Sequence, residues 1–355
     1  MSLDLGWGPS QLALELVGIA SPSGEERELA DSLHAAFDPL PHLEVLRDGN
    51  TLVVRTQLGR PERVVVAGHL DTVPAGGVVG AGIGGGILWG RGAVDMKGGL
   101  AAMAHVAARL TRPKRDVTWV FYDNEEVARD LNGLRRVIGA HPDWVAGEFA
   151  VLGEPTSGRI EGGCNGSVRV VATLRGKAAH SARAWLGVNA IHGAAPLLDR
   201  LASYQPGSVE VDGLEYRESL NAVGISGGIA GNVIPDCCTV TINYRFAPNQ
   251  TVDDAVTHLT EILPPVELEV VDRAPGARPG LDAKPARVFA EVVARHGLGE
   301  PVAKVGWTDV AQFAELGIPA VNCGPGDPGL AHADNEHCPT EQIDTFAQIL
   351  QEWLT

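Results

Sequence analysis

Two nearly continuous apolar runs constrain this chain most: Arg63-Val64-Val65-Val66-Ala67-Gly68 and Val117-Thr118-Trp119-Val120-Phe121-Tyr122. Between them Leu100, Met103, Ala104, Ala107 and Leu110 recur at helical spacing. Strands that are apolar on both faces need cover on both faces. Alternation with helices is how parallel sheets get it. The expectation is an α/β fold, a mostly parallel sheet with helices on both faces. Upstream, Ser10 is placed to cap a helix through Leu12, Leu16 and Ile19. Ser23-Gly24-Glu25-Glu26 has the form of a capping box before Leu29, Leu33 and Phe37.

The texture changes near Gly166. Val168, Val170, Ala172 and Leu174 alternate with polar or small neighbours, as do Val240, Ile242, Tyr244 and Phe246. Such strands have one wet face. Ala190 to Ala202 has helical character, and Thr251 can cap a helix through Val256, Leu259 and Ile262. These elements predict a small two-layer α+β domain over residues 167–280, inserted into a domain formed by residues 1–166 and 281–355. The 355-residue length suits two domains of about 150 residues or more.

Composition removes several classes. With 45% hydrophobic and 20% charged residues the chain is neither disordered nor collagenous. A net charge of −16 repels phosphate backbones, so no nucleic-acid partner is expected. No apolar window is long enough for a membrane helix. MSLDLGWGPS lacks the basic and apolar regions of a secretory signal. Five cysteines without a CxxC pair fit reduced thiols in the cytoplasm.

The residues that carry chemistry stand at the ends of predicted elements. Gly68-His69-Leu70-Asp71-Thr72-Val73-Pro74 follows the first apolar run, and Asp71 is near enough to orient the His69 imidazole. Gly90-Arg91-Gly92-Ala93-Val94-Asp95-Met96-Lys97-Gly98-Gly99 places Asp95 just before a helix, where one carboxylate can bridge two cations. Asp123-Asn124-Glu125-Glu126 follows the second run, and Gly153-Glu154-Pro155 follows Glu148 to Leu152. Ala331-His332-Ala333-Asp334-Asn335-Glu336-His337 comes late in the chain. Taken singly, His69 reads equally well as a backbone-satisfied histidine, Asp95 as a helix cap and Glu125-Glu126 as a solvated loop. Together they supply histidine and carboxylate without thiolate, which suits hydrolytic zinc. There are too many for one catalytic ion and enough for two sharing a carboxylate.

The order HLDTVP, GRGAVDMKGG, NEE, GEP and a late histidine resembles the dinuclear-zinc peptidase and deacylase family, over nearly the whole chain. Within it, YDNEEV followed by Asn132-Gly133-Leu134, GCNGSVRV from Gly163 and GKAAHSARAWLG from Gly176 look most like the actinobacterial desuccinylase branch. The resemblance implies two Zn2+ ions, with Co2+ or Mn2+ as possible substitutes. Asp95 would bridge them. His69 and Glu154 would complete one site, Glu126 and His332 the other. Glu125 would be the general base and Asp71 the partner of His69. A non-proline cis peptide is implied at Asp95-Met96.

The inserted domain would serve as lid and dimerisation domain of a homodimer, with His180 reaching the other subunit's active site to stabilise the oxyanion. Arg183, Asn232, Arg245 and Thr308 fall at substrate-side positions. The implied substrate is a small anionic N-acyl amino acid, N-succinyl-LL-2,6-diaminopimelate, with N-acetylornithine, another N-acyl amino acid or a short peptide as alternatives. The chain departs from the family pattern in the short, glycine-rich Ala75–Gly86 segment. It also departs at Cys164-Asn165, where some desuccinylases carry a basic residue, leaving carboxylate recognition to Lys177, Arg183 or Arg245. Two readings of other classes are a non-catalytic metal-binding protein and a nucleotide binder using Gly82 to Gly86, though no GxxxxGK[ST] accompanies those glycines.

Overall fold

The computed structural model describes residues 3–76 and 80–355. Part of the Ala75–Gly86 segment, residues 77–79, therefore lies outside the described residues. The chain divides into two compact units. The first is Met1–Gly162, Pro279–Val302 and Gln312–Thr355; the second is Gly163–Arg278 with Ala303–Ala311.

In the first unit, Asp116–Tyr122, Arg63–His69, Ala150–Leu152 and Ala320–Asn322 lie side by side as the parallel centre of a sheet. Thr51–Arg55 and Glu44–Asp48 extend it antiparallel on one side and Glu161–Gly162 on the other. Val64 and Val66 enter an apolar cluster with Leu100, Met103, Phe346 and Leu350. Val65 and Ala67, which point the opposite way, are equally buried. Burial on both faces is what their uninterrupted apolar run requires.

Pairing puts His69 level with Tyr122, and Ala67 with Leu152. Three neighbouring strands thus end together at their carboxyl ends, where open α/β sheets collect ligands. The helix Lys97–Arg109 begins over this edge. Its Gly99 is required there, because a Cβ would run into the carbonyl oxygen of Gly153.

Neither expected serine cap forms. The first helix is Pro9–Gly18, and Ser10, inside it, bonds Asp344 at 2.8 Å and the Thr340 carbonyl. The second is Arg27–Phe37, and Ser23 is spent on Asp71 at 2.8 Å. Both hydroxyls found partners distant in sequence, which a local capping rule cannot see. The glycines at 82–86 form a β-hairpin, Gly82–Gly84 paired with Ile87–Trp89, turning through Gly85 and Gly86 at positive φ. With no helix start behind it, this turn is not the expected shape of a phosphate cradle.

The second unit is a four-stranded antiparallel sheet in the order Ser219–Gly227, Cys237–Phe246, Gly166–Arg175, Glu267–Ala274. Val168, Val170, Ala172, Val240 and Ile242 line its inner face and pack with helices Ala195–Ser203 and Val252–Ile262. Thr251 and Asp254 form a reciprocal capping box on the latter. The helical stretch from Ala190 is broken into Ala190–Gly193 and Ala195–Ser203, with Pro196 at the new start. Ala303–Ala311 joins this unit although it follows the return to the first. Asn165 donates to Lys304 O, and the Trp307 indole donates to Pro275 O at 3.0 Å.

Candidate metal centre

His69 closes its strand and is buried. Its Nδ1 lies 2.9 Å from the Asp71 carbonyl oxygen. A carbonyl only accepts, so Nδ1 carries a proton and Nε2 is the atom left to take a cation when the ring is neutral. Nε2 faces Asp95 Oδ1 at 3.0 Å. The other oxygen, Asp95 Oδ2, faces His332 Nε2 at 3.4 Å, and His332 Nε2 lies 2.8 Å from Glu126 Oε1. One carboxylate therefore presents one oxygen to each of two imidazoles. The Asp95-Met96 peptide is cis.

The electrostatics follow from crowding carboxylates around two imidazoles. Burial opposes charge on His69, but Asp71, Asp95 and Glu154 outweigh it and hold its pKa well above the usual histidine value. Asp95 and Glu126 raise His332 to about 10 against a smaller opposing effect of burial. Burial would push Asp95 up, yet His332 and His69 hold it well below the usual carboxylate range. In the absence of cations the site thus retains protons as substitutes for positive charge.

His69, Asp95 and Glu126 offer ligand atoms all within 4.8 Å of one another. This trio mixes the two ligand sets expected from the resemblance, since Glu126 was placed with His332. Glu154 is buried just after its strand and acts on His69 through charge. The donor set, two imidazoles with three carboxylates and no thiolate, fits hard or borderline divalent cations such as zinc.

Asp71 is fully buried and holds the loop that carries Glu125 and Glu126. Its Oδ1 accepts the Glu125 amide at 2.9 Å, and its Oδ2 accepts the Glu126 amide at 3.0 Å and the Ser23 hydroxyl at 2.8 Å. Burial would raise its pKa; His69 and these amides prevail and lower it. On the other side of that loop, Asp123 Oδ1 accepts from Thr51 at 2.5 Å and from Arg136 at 2.8 Å. Asn124 between them adopts a positive φ of 60°.

Three supports escape local sequence pattern: Ser23 has the form of a cap, Arg136 lies outside the motifs, and Glu336 carries no signal of a role in the segment after His332. Glu336 is 1% exposed. Its Oε1 accepts the amides of Val94 at 3.0 Å and Asp95 at 3.2 Å, and its Oε2 pairs with Arg91 at 2.7 Å. The one sequence signal is position: Arg91 stands four residues before Asp95, and Glu336 four residues after His332.

The remaining candidates belong to the second unit. His180 is exposed, and its Nδ1 accepts the Ala182 amide at 3.0 Å, which leaves Nε2–H as a donor. Asn232 lies beside it, its carbonyl accepting from Ser181 at 2.9 Å. Arg183 is exposed at a kink with φ −129° and ψ 44°. Arg245 is half-buried, donating from Nε to Asn243 at 3.1 Å. Thr308 is buried, its carbonyl facing Cys164 Sγ at 3.7 Å.

The carboxyl ends of parallel strands bring His69, Glu126 and Glu154 together with Asp95 and His332 from two other segments, a donor set without thiolate that suits a metal-dependent hydrolase. The chain belongs to peptidase family M20/M25/M40, whose model matches residues 65–355. It is 47% identical over 355 residues to DapE of Mycobacterium tuberculosis, covering 99% of both chains. It is 44% identical over 363 residues to a succinyl-diaminopimelate desuccinylase of Corynebacterium glutamicum, covering 99% of this chain and 98% of that one. Aminopeptidase PepT from Bacillus cereus shares the fold, with a TM-score of 0.78 at 21% identity, covering 99% of this chain and 98% of that chain. Among the described residues, no helix is long and apolar enough to cross a membrane.

Proposed function

We propose that this chain hydrolyses N-succinyl-LL-2,6-diaminopimelate to succinate and LL-2,6-diaminopimelate, in lysine biosynthesis through diaminopimelate. The observation that carries the chemistry is the paired presentation of Asp95 to His69 and His332, with Glu125 immediately before Glu126. The substrate rests on full-length likeness to the two desuccinylase relatives.

Two zinc ions would be held by His69, Asp95 and Glu154 and by Asp95, Glu126 and His332; cobalt or manganese suits the same donors. When bound, such ions supply Lewis acidity and lower the pKa of a water from 15.7 towards about 7. Glu125 takes a proton from the attacking water and returns it to the departing amine, so it acts first as base and then as acid. Asp71 fixes the backbone from which the Glu125 carboxylate extends. His180 is the proposed oxyanion donor through Nε2–H. Arg183 and Arg245, with Asn232 and Thr308, are the proposed substrate contacts, because guanidinium groups bind carboxylates in a fork.

A homodimer completes the proposal. Ser219–Gly227 is an edge strand, paired on one side with Cys237–Phe246, and it exposes Val223 and Ile225. A second copy covering this edge would pair its backbone and bury those side chains. The cytoplasmic placement is supported by five cysteines that are all free.

Turnover of the succinylated substrate against N-acetylornithine, with zinc-loaded protein, tests the assignment. Preference for the succinyl substrate is expected; faster acetyl release would overturn it. Subunit exchange between His180→Ala and Glu125→Gln proteins should restore part of the activity. Exchanged heterodimers without activity would remove the role of His180 in the partner's site.

A further inference from the structure

Glu336 is a carboxylate deep in the protein whose bonds all lead to the chain segments that carry metal-site residues. One oxygen collects the amides of Val94 and Asp95, and the other pairs with Arg91. Arg91 in turn reaches the Ala333 carbonyl from Nη1 and the Pro74 carbonyl from Nε, each at 3.3 Å. The backbone joins in, with Gly90 N donating to Glu336 O at 3.3 Å where the Ile87–Trp89 and His337–Pro339 strands pair. Segments some 240 residues apart in sequence are thus bound as one piece, and that piece bears Asp95 and His332.

A buried ion pair is weak evidence for a stability role, because the desolvation cost offsets most of the attraction. What this pair does supply is a fixed distance. His332 sits on irregular backbone with a positive φ of 65°, and its side chain is half exposed. Its own segment is shaped by the short Pro328–Leu330 turn and the bond from Ala333 N to Leu330 O, and Arg91 and Glu336 tie that segment to the one bearing Asp95. His69, by contrast, is held by a regular strand and by Asp71.

We infer that Arg91 and Glu336 form a clasp that positions His332 against Asp95, and so governs one metal site, that of Asp95, Glu126 and His332, more than the site of His69 and Glu154. Arg91 and Glu336 are positioning residues that act through the ligands. The inference rests on the two-ion reading above.

Zinc titration by calorimetry, with metal content after dialysis, tests it on the full-length protein. The wild type should take two ions. Glu336→Gln keeps an oxygen for the two amides and removes the charge opposite Arg91. It should keep one tight ion and bind the second about 10- to 100-fold more weakly. Arg91→Lys keeps the charge and loses the fork, and the same selective loss is expected. Should Glu336→Gln fail to fold, Arg91→Lys alone decides the matter. Two sites of unchanged affinity in the folded variants would overturn the clasp and leave the two-ion reading standing. Equal weakening of both sites would also overturn it. A wild type that takes fewer than two ions would overturn that reading, and the clasp with it.

Discussion

The carboxylate of Asp71 accepts the backbone amide of Glu125 at 2.9 Å. Thus a residue two positions after His69 fixes the loop on which the proposed base stands, although 54 residues separate the two in sequence. The same carboxylate receives the Glu126 amide and lies 3.6 Å from His69 Nδ1. One buried anion thus fixes the Glu125–Glu126 loop and lies beside His69.

Asp71→Ala removes all of these contacts at once. It should lower kcat or zinc affinity by about 10- to 100-fold, as loss of an outer partner of metal ligands generally does. Steady-state kinetics and metal analysis check this. Activity and metal content both near wild type would show that Asp71 only fills space.

Glu125→Gln preserves shape and removes the proton acceptor. Turnover should fall by about 100- to 10,000-fold, with zinc content near wild type. Retained activity would take the base role from Glu125.

Metal loading should release protons. In the metal-free protein the raised pKa of His332, about 10, means that its pairing with Asp95 and Glu126 stabilises the fold fully below its unfolded value of about 6.5. That contribution is lost as pH rises through about 10. Between these limits a cation must displace the proton, so apparent zinc affinity should rise with pH. Calorimetry at pH 8 in buffers of different ionisation enthalpy should show at least about one proton released per loaded site pair. Zero release would contradict protonated histidines in the metal-free state.

Arg136→Ala leaves the buried Asp123 carboxylate without its guanidinium, though Thr51 still donates to it. A loss of about 2–3 kcal/mol is expected, read as a lower urea midpoint, because an anion in the interior loses its counter-charge.

Ile225→Lys puts a charge on the exposed edge strand. If two copies pair there, sedimentation should show monomers for the variant and dimers for the wild type. Dimers in both would place the interface elsewhere.

Legibility differed by type of signal. The ends of the Arg63–His69 and Asp116–Tyr122 strands were readable because an apolar run stops where burial stops, and His69 and Asp123 stand at those stops. The half-wet alternation of the inserted sheet was equally readable. Hydroxyl partners were not: Ser10 and Ser23 satisfied a local capping pattern yet bond Asp344 and Asp71. Nor did local pattern reveal that Ala303–Ala311 packs with the second unit.

By itself, then, the sequence determined which residues end strands, which faces are apolar, and which side chains are available to hold cations, since periodicity and residue chemistry are local properties. Only the tertiary structure decided that Asp95 turns one oxygen to His69 and the other to His332, that Asp71 carries the loop of Glu125, and that Glu336 grips the backbone beside Asp95. Those are distances between segments far apart along the chain, and they come into being only when the sheet closes its strand ends together.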